Sequence, residues 1–484
     1  MLQWQSIRRG TPLEKRFDPI EIAIVSGRID EARSRLSAWD GETRGKSPAA
    51  RLKAAELARR SGLHTLALRL LHPLVRGSEK SPARATPEAA TEYAGSLVQI
   101  GARSEARDIL EAIEPARVPV RDLFLAFAHF AEWDYELALA PLRRYTESKM
   151  ISEYQRKIGA LNLAAALVAT NLRDEAGALL GILLTDPETP PLLKMNALEV
   201  QAQLWIASGD YPAAWLSLEE ASESARRLSG TYDLLIEKWR AVLGLRSSRG
   251  SQASRASLES VREKAVQGKR WEVVRDCDFH LADTASDVEI AKRLYFGTPF
   301  ESYRRRVLGI AGESIAKRGY DWQPLGTAER FLDVSHTTTD KVHTLLRALC
   351  ADFYRPQRLG ELFAMLYPGE QYSPGHSASK MNQLIVRVRR WLDEEALPIH
   401  LRIEESAARL VFRHPVTVRV AVDGGVKNEN LASLEPNCWY ANRDLRSRLG
   451  LSARTINRLV AEAVTQGQLV ARGAGKTKRY KLSE

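Results

Sequence analysis

The sequence predicts a mainly α protein: a long stack of helix pairs followed by two small α+β modules in which helices precede a β-hairpin. Three observations predict it. Apolar residues recur at three- and four-residue spacing from about Phe17 to Ala282. Short turns interrupt that pattern at a near-constant interval. Beyond residue 335 the period switches twice from helical to alternating, each time around a turn. The expected divisions are an N-terminal tail (1–16), the helical array (17–285), a helical connector (286–335), a first module (336–415), a linker (416–434) and a second module (435–484).

Composition sets the outer limits. A chain of 484 residues suits about three domains, or one array plus extra modules. With 44% hydrophobic residues it can build cores, which excludes wholesale disorder. Cys277, Cys350 and Cys438 are too few for a disulfide scaffold and too far apart for a zinc motif. No metal and no cofactor is therefore expected. The longest apolar stretch, near Ala160–Thr170, is about half what a membrane span needs. The opening MLQWQSIRRG lacks the apolar run of a signal peptide. The expectation is a cytoplasmic protein with no membrane partner. No catalytic residues are expected either: there is no His-Glu-x-x-His, no nucleophile elbow and no Lys-Ser/Thr phosphate loop. Gly473-Ala-Gly-Lys-Thr lacks that loop's first glycine, and a strand follows it where a helix is required.

The array reads as repeated helix–turn–helix units. Ala54, Leu57 and Ala58 precede a turn at Gly62, and Ala67, Leu70 and Leu71 follow it. Tyr93, Leu97 and Ile100 lead to Gly101, then Ala106, Ile109 and Leu110. Phe124, Phe127 and Phe130 lead to Trp133-Asp134, then Leu137, Ala138 and Leu142. Further turns fall at Asn171 and at Gly209-Asp210. An amphipathic pair cannot bury its face alone, so pairs stack. The pattern resembles the tetratricopeptide repeat (TPR) family over roughly half the chain, with units longer than that family's. The resemblance implies a TPR-like solenoid with a concave surface for a peptide, protein or small ligand, or a site of homodimerisation. A stacked scaffold without a ligand is the other reading.

Three details of the array and the connector carry expectations. Gly250-Ser-Gln-Ala-Ser-Arg-Ala-Ser reads as a loop. In Asp276-Cys277-Asp278-Phe279-His280, the expectation is core packing for Cys277 and an ordinary hydrogen bond for His280, because a metal needs more ligands than these. Arg304–Arg306 reads as a solvated helix end, with phosphate contact as the alternative.

The first module shows three apolar stripes. Val342, Leu345, Leu346 and Leu349 mark one helix, and Leu359, Leu362, Phe363 and Leu366 a second. Ser377 or Ser379 is the expected cap of a third, which buries Met381, Leu384, Ile385, Val388 and Leu392. Its other side presents Ser379, Asn382, Gln383 and Arg390, with Arg387 and Arg389 at the edges. Ile399-His-Leu-Arg-Ile and Arg409-Leu-Val-Phe then form a hairpin around Glu404-Glu-Ser-Ala. The Ile-x-Arg-x-Arg-Arg-x-Leu helix followed by this hairpin resembles the winged-helix output domain of response-regulator transcription factors. That resemblance implies DNA contact through Ser379, Asn382, Gln383, Arg387 and Arg390. The acidic tip at Glu404-Glu405 suits phosphate poorly, so protein docking or dimerisation stands beside it.

The second module concentrates charge. The chain's net charge is +11, and the 44 residues from Ala441 carry ten basic and three acidic side chains. Such concentration is the footprint of a nucleic-acid module. Asn442–Leu449 reads as a helix, Gly450-Leu451 as a turn, and Ser452 as the N-cap of a helix burying Ile456, Leu459, Val460, Ala463 and Val464. Leu469-Val-Ala-Arg and Thr477-Lys-Arg-Tyr-Lys-Leu alternate around a Gly-rich turn. The order resembles winged-helix DNA-binding domains over Trp439–Leu482. The resemblance implies that Arg454 and Arg458 fork onto guanine or pair with phosphate, that Asn457 reads adenine with Thr455 on the same helix flank, that Ser452 and the helix N-terminus hold a phosphate, and that Lys476, Lys478 and Arg479 set the wing against the backbone or minor groove.

The expected function is therefore a bacterial-type, DNA-binding transcription regulator. The array senses or dimerises, and tandem winged helices hold double-stranded DNA. The alternative is a non-enzymatic scaffold or assembly subunit that uses the same elements for protein–protein contact.

Overall fold

The computed structural model describes residues 12–25, 28–40, 47–77, 85–227, 233–248, 250–317, 319–335, 340–367, 369–421, 434–435, 438–449, 456, 459–460, 463–464, 469–472 and 479–482. The fold is mainly helical with three small sheets among these residues. It divides into two compact units, 1–420 and 421–484.

The first unit opens with helix pairs: α1 (Pro12–Val25) and α2 (Ile29–Asp40), α3 (Pro48–Arg60) and α4 (His64–Val75), α5 (Pro87–Ile100) and α6 (Arg103–Glu111), α7 (Val120–Phe130) and α8 (Tyr135–Glu147). They continue as α9 (Glu153–Ala169) and α10 (Arg173–Thr185), α11 (Pro191–Ser208) and α12 (Tyr211–Arg227), α13 (Asp233–Ser247) and α14 (Gln252–Gln267), α15 (Trp271–Ala285) and α16 (Val288–Phe296), and end with α17 (Glu301–Ala311). Side chains set many of the helix starts. Ser47, Thr86 and Asp134 accept hydrogen bonds from the first-turn amides of α3, α5 and α8, and Ser152 with Gln155 forms a capping box on α9. Each turn expected from the sequence holds a residue with left-handed backbone: Gly62, Gly101, Trp133, Asn171 and Gly209, at φ 79°, 90°, 61°, 63° and 80°. That conformation closes the first helix of a pair and redirects the chain into the second.

Each pair packs on the next. Odd-numbered helices touch in series from α1 to α7 and again from α9 to α17. The apolar stripes form the core, with Ala54, Leu57, Ala58, Leu97, Leu110, Leu142, Leu167, Leu180 and Leu218 buried. Leu137 is an exception at 56% exposed; Ala138 and Leu142 carry the buried face of α8 instead. The polar run after Gly250 is helical rather than a loop. Ser251 caps it by accepting from the Ser254 amide, so α14 starts at Gln252.

Residues 340–412 supply α18 (Lys341–Leu349), α19 (Leu359–Leu366) and α20 (His376–Glu394), with strands β3 (Gln357–Arg358), β4 (Ile399–Glu404) and β5 (Ala407–Phe412) in the antiparallel order β3-β5-β4. Met381, Leu384, Ile385, Val388 and Leu392 line the buried side of α20. The connector is not wholly helical. β1 (Tyr320–Trp322) and β2 (Phe331–Asp333) flank β6 (Thr417–Val420), antiparallel to the first and parallel to the second. The start of the expected linker thus completes a sheet of the first unit; Gly424-Gly425 and Asn428–Asn430 lie outside the described residues.

The second unit contains β7 (Tyr440–Ala441), α21 (Asn442–Leu449), β8 (Leu469–Arg472) and β9 (Arg479–Leu482), in sheet order β7-β9-β8. Its core gathers Leu434, Tyr440, Leu445, Ile456, Leu459, Val460, Ala463, Leu469 and Tyr480.

Candidate nucleic-acid interface

In the first unit the expected residues share one helix. Ser379, Asn382, Gln383, Arg387 and Arg390 all lie on α20 and are all exposed, opposite its buried stripe. Arg387 comes within 3.9 Å of Asp340, a distant and exposed pair. Arg389 is held: its Nε donates to the Leu401 carbonyl at 3.1 Å. The capping expectation fails. Gly375 is the N-cap of α20 and contributes no side chain, because Ser377 lies inside the first turn and its hydroxyl accepts from the Ser373 amide.

The β4–β5 hairpin is turned toward the helical array. Glu405 and Ser406 both take left-handed backbone at its tip. The Ser406 carbonyl accepts from the Leu359 amide, and Glu404 pairs with Lys269 at 3.3 Å and with Arg409 at 3.6 Å. The ion pair and hydrogen bond from Lys269 hold the Glu404 carboxyl below its ordinary range. The acidic tip that the sequence marked as a poor phosphate binder has a cation of its own.

A buried ionic network fixes this hairpin's module to the array. Arg275, fully buried on α15, donates to both carboxylate oxygens of Asp352 at 2.8 and 2.9 Å and to Thr298 at 2.8 Å. Burial opposes the Asp352 charge, yet the Arg275 and Arg355 guanidinium groups outweigh it and hold the carboxyl below its ordinary value. Arg355 also reaches Glu361 at 3.1 Å, and Glu361 bonds Arg103 of α6. Backbones meet closely here: a Cβ on Gly360 would lie 2.6 Å from the Ile100 carbonyl, and one on Gly101 2.8 Å from the Glu361 Cβ.

Of the second unit's expected residues, Ser452, Arg454, Thr455, Asn457, Arg458, Lys476 and Lys478 lie outside the described residues. Arg479 is described and exposed. The register sets it directly across from Arg472, also exposed. Neither has a carboxylate partner among the described residues. Arg443 and Arg446 on α21 add exposed guanidinium groups. Arg448 is engaged instead, with Glu435 and with the Tyr440 hydroxyl at 2.9 Å.

One expectation for the connector and one for the array change. Arg305 and Arg306 are exposed as expected, but Arg304 is buried and donates to the Tyr295 and Thr298 carbonyls. Cys277 is packed in the core as expected, but both ring nitrogens of buried His280 lack a hydrogen-bond partner. The sequence signalled His280 only through its place beside Cys277. Among the described residues no His, Cys, Asp and Glu side chains group as metal ligands, and no helix is long and apolar enough to cross a membrane. Comparison with protein-family models and with curated proteins finds no match to this chain.

Proposed function

We propose that the chain is a DNA-binding transcription regulator. In this reading the array is a TPR-like solenoid that senses a ligand or partner, or pairs two chains, and the two modules are winged helices that hold duplex DNA. The observation that carries it is the Arg472–Arg479 pair. Like charges directly opposite each other weaken a hairpin, and a phosphate backbone converts that repulsion into binding. The exposed face of α20 supports the same reading, with Asn382, Gln383, Arg387 and Arg390 at the spacing that reads base edges from a major groove. So does the order of three helices and a hairpin within residues 340–412.

A second reading has one observation behind it. The Glu404–Lys269 contact favours protein docking for the first module's hairpin, as in scaffold subunits. It leaves α20 as that module's DNA-facing element. Selection from a random duplex library with the full chain tests the regulator reading. Enrichment of one sequence, with two blocks at fixed spacing, is the expected result. A chain that enriches nothing is a scaffold.

A further inference from the structure

The array holds a cavity of about 890 Å³ on the side formed by α9, α11, α13, α15 and α17. Its size falls within the range of small-molecule sites. Trp133, Tyr135, Tyr211 and Trp239 contribute aromatic walls. Trp133 and Tyr135 meet edge to face at 6.0 Å, so two ring directions are presented at one end. A wall of this kind accepts flat, apolar bodies by stacking and edge contact.

The polar groups narrow the choice. Lys238 is paired with Asp276 at 2.6 Å, and Arg246 with Asp283. Glu272 at the rim is paired with Arg275 at 3.1 Å. Arg306, stacked over Phe279 at 4.3 Å, has no carboxylate within ion-pair distance among the described residues. The lining balances three cations with three carboxylates, and Arg306, exposed on α17, is its one cation with no direct carboxylate partner among the described residues. His280 offers the second signal. It is 6% exposed, lines the cavity, and has neither ring nitrogen bonded; its nearest carboxylate oxygen, on Asp276, is 3.8 Å away. Burial lowers its pKa to about 4, so near neutral pH it carries one donor and one acceptor. A buried polar group without a partner destabilises a fold, and a ligand that satisfies it removes that cost.

We propose that this cavity binds a small planar organic acid. The aromatic body lies among the Trp133, Tyr135, Tyr211 and Trp239 rings, the carboxylate meets Arg306, and a hydroxyl or similar group meets His280. The proposal names the ligand for the sensing role given to the array and rests on that reading for its consequence. The binding itself is measured without DNA, so either can fail while the other stands.

The test is calorimetric titration of the full chain with 6-hydroxy-2-naphthoate and with the matching amide, which keeps the rings and loses the charge. The acid binds once per chain and about tenfold more tightly than the amide. Arg306→Gln lowers the acid's affinity to that of the amide and leaves the amide unchanged. His280→Phe weakens the acid about tenfold while the melting temperature holds or rises, because two unpaired buried nitrogens are gone. Equal binding of acid and amide, binding of neither at millimolar concentration, or an Arg306→Gln chain that binds as before overturns the proposal. So does a His280→Phe chain that loses stability and keeps its affinity, which would make the imidazole a packing residue.

Discussion

Both hairpins set two arginines directly across from each other, Arg402 against Arg409 in the first unit and Arg472 against Arg479 in the second. The repulsion is handled differently. In the first, Glu404 reaches Arg409 and Lys269, and the Arg409 guanidinium lies over the Trp271 ring, so the strands answer to the array. In the second, no carboxylate answers Arg472 or Arg479 among the described residues. The same local pattern is thus answered within the chain in one place and not among the described residues in the other, where the proposed function supplies a polyanion.

The largest expected effect comes from the docking side. Arg275→Met leaves Asp352 charged and buried without its main partner. The full chain should lose about 3–5 kcal/mol in urea unfolding of the first unit. Acid should weaken that unit too. His280 and His64 are held at about pKa 4, in both cases first by burial, with Arg358, Arg59 and Arg33 adding to the effect at His64. Their unfolded values lie near 6.5, so the unfolded chain binds more protons between those limits. Stability should be full above about pH 6.5 and fall as the pH drops toward about 4, less steeply for His280→Phe. Thermal melts across that window measure it.

Smaller effects belong to the open surfaces. Arg458→Ala should cost about 1–3 kcal/mol of specific duplex affinity if its side chain reads a base, and Arg390→Ala on α20 the same. If Arg390→Ala changes nothing, the first module is a docking element alone and the contrast between the two is complete. Arg479→Ala should weaken all duplexes alike and reduce the salt slope by about one. Lys269→Ala, at an exposed pair, should leave the melting temperature where it is.

Much of the fold was legible because burial writes itself into helical spacing. The stripes through Leu57, Leu97 and Leu142 and the left-handed turns at Gly62, Gly101, Trp133, Asn171 and Gly209 could all be read in order. Strands β1, β2 and β6 could not, since three or four residues are too few for alternation to show. The start of α14 was hidden because Ser251 caps a helix with the same residue type that marks loops. The docking network escaped for a different reason. Arg103 meets Glu361, and Arg275 meets Asp352, across separations that no local pattern records. His280 was misread because a sequence shows a hydrogen-bonding group but not whether anything reaches it.

The most direct test is duplex binding by the full chain, followed by fluorescence anisotropy as salt is raised. If exposed arginines and lysines neutralise several phosphates, log K falls linearly with log salt, by about 0.9 for each phosphate contacted. Affinity that ignores salt, or no affinity for duplex at low salt, would contradict the account and return the chain to the scaffold reading.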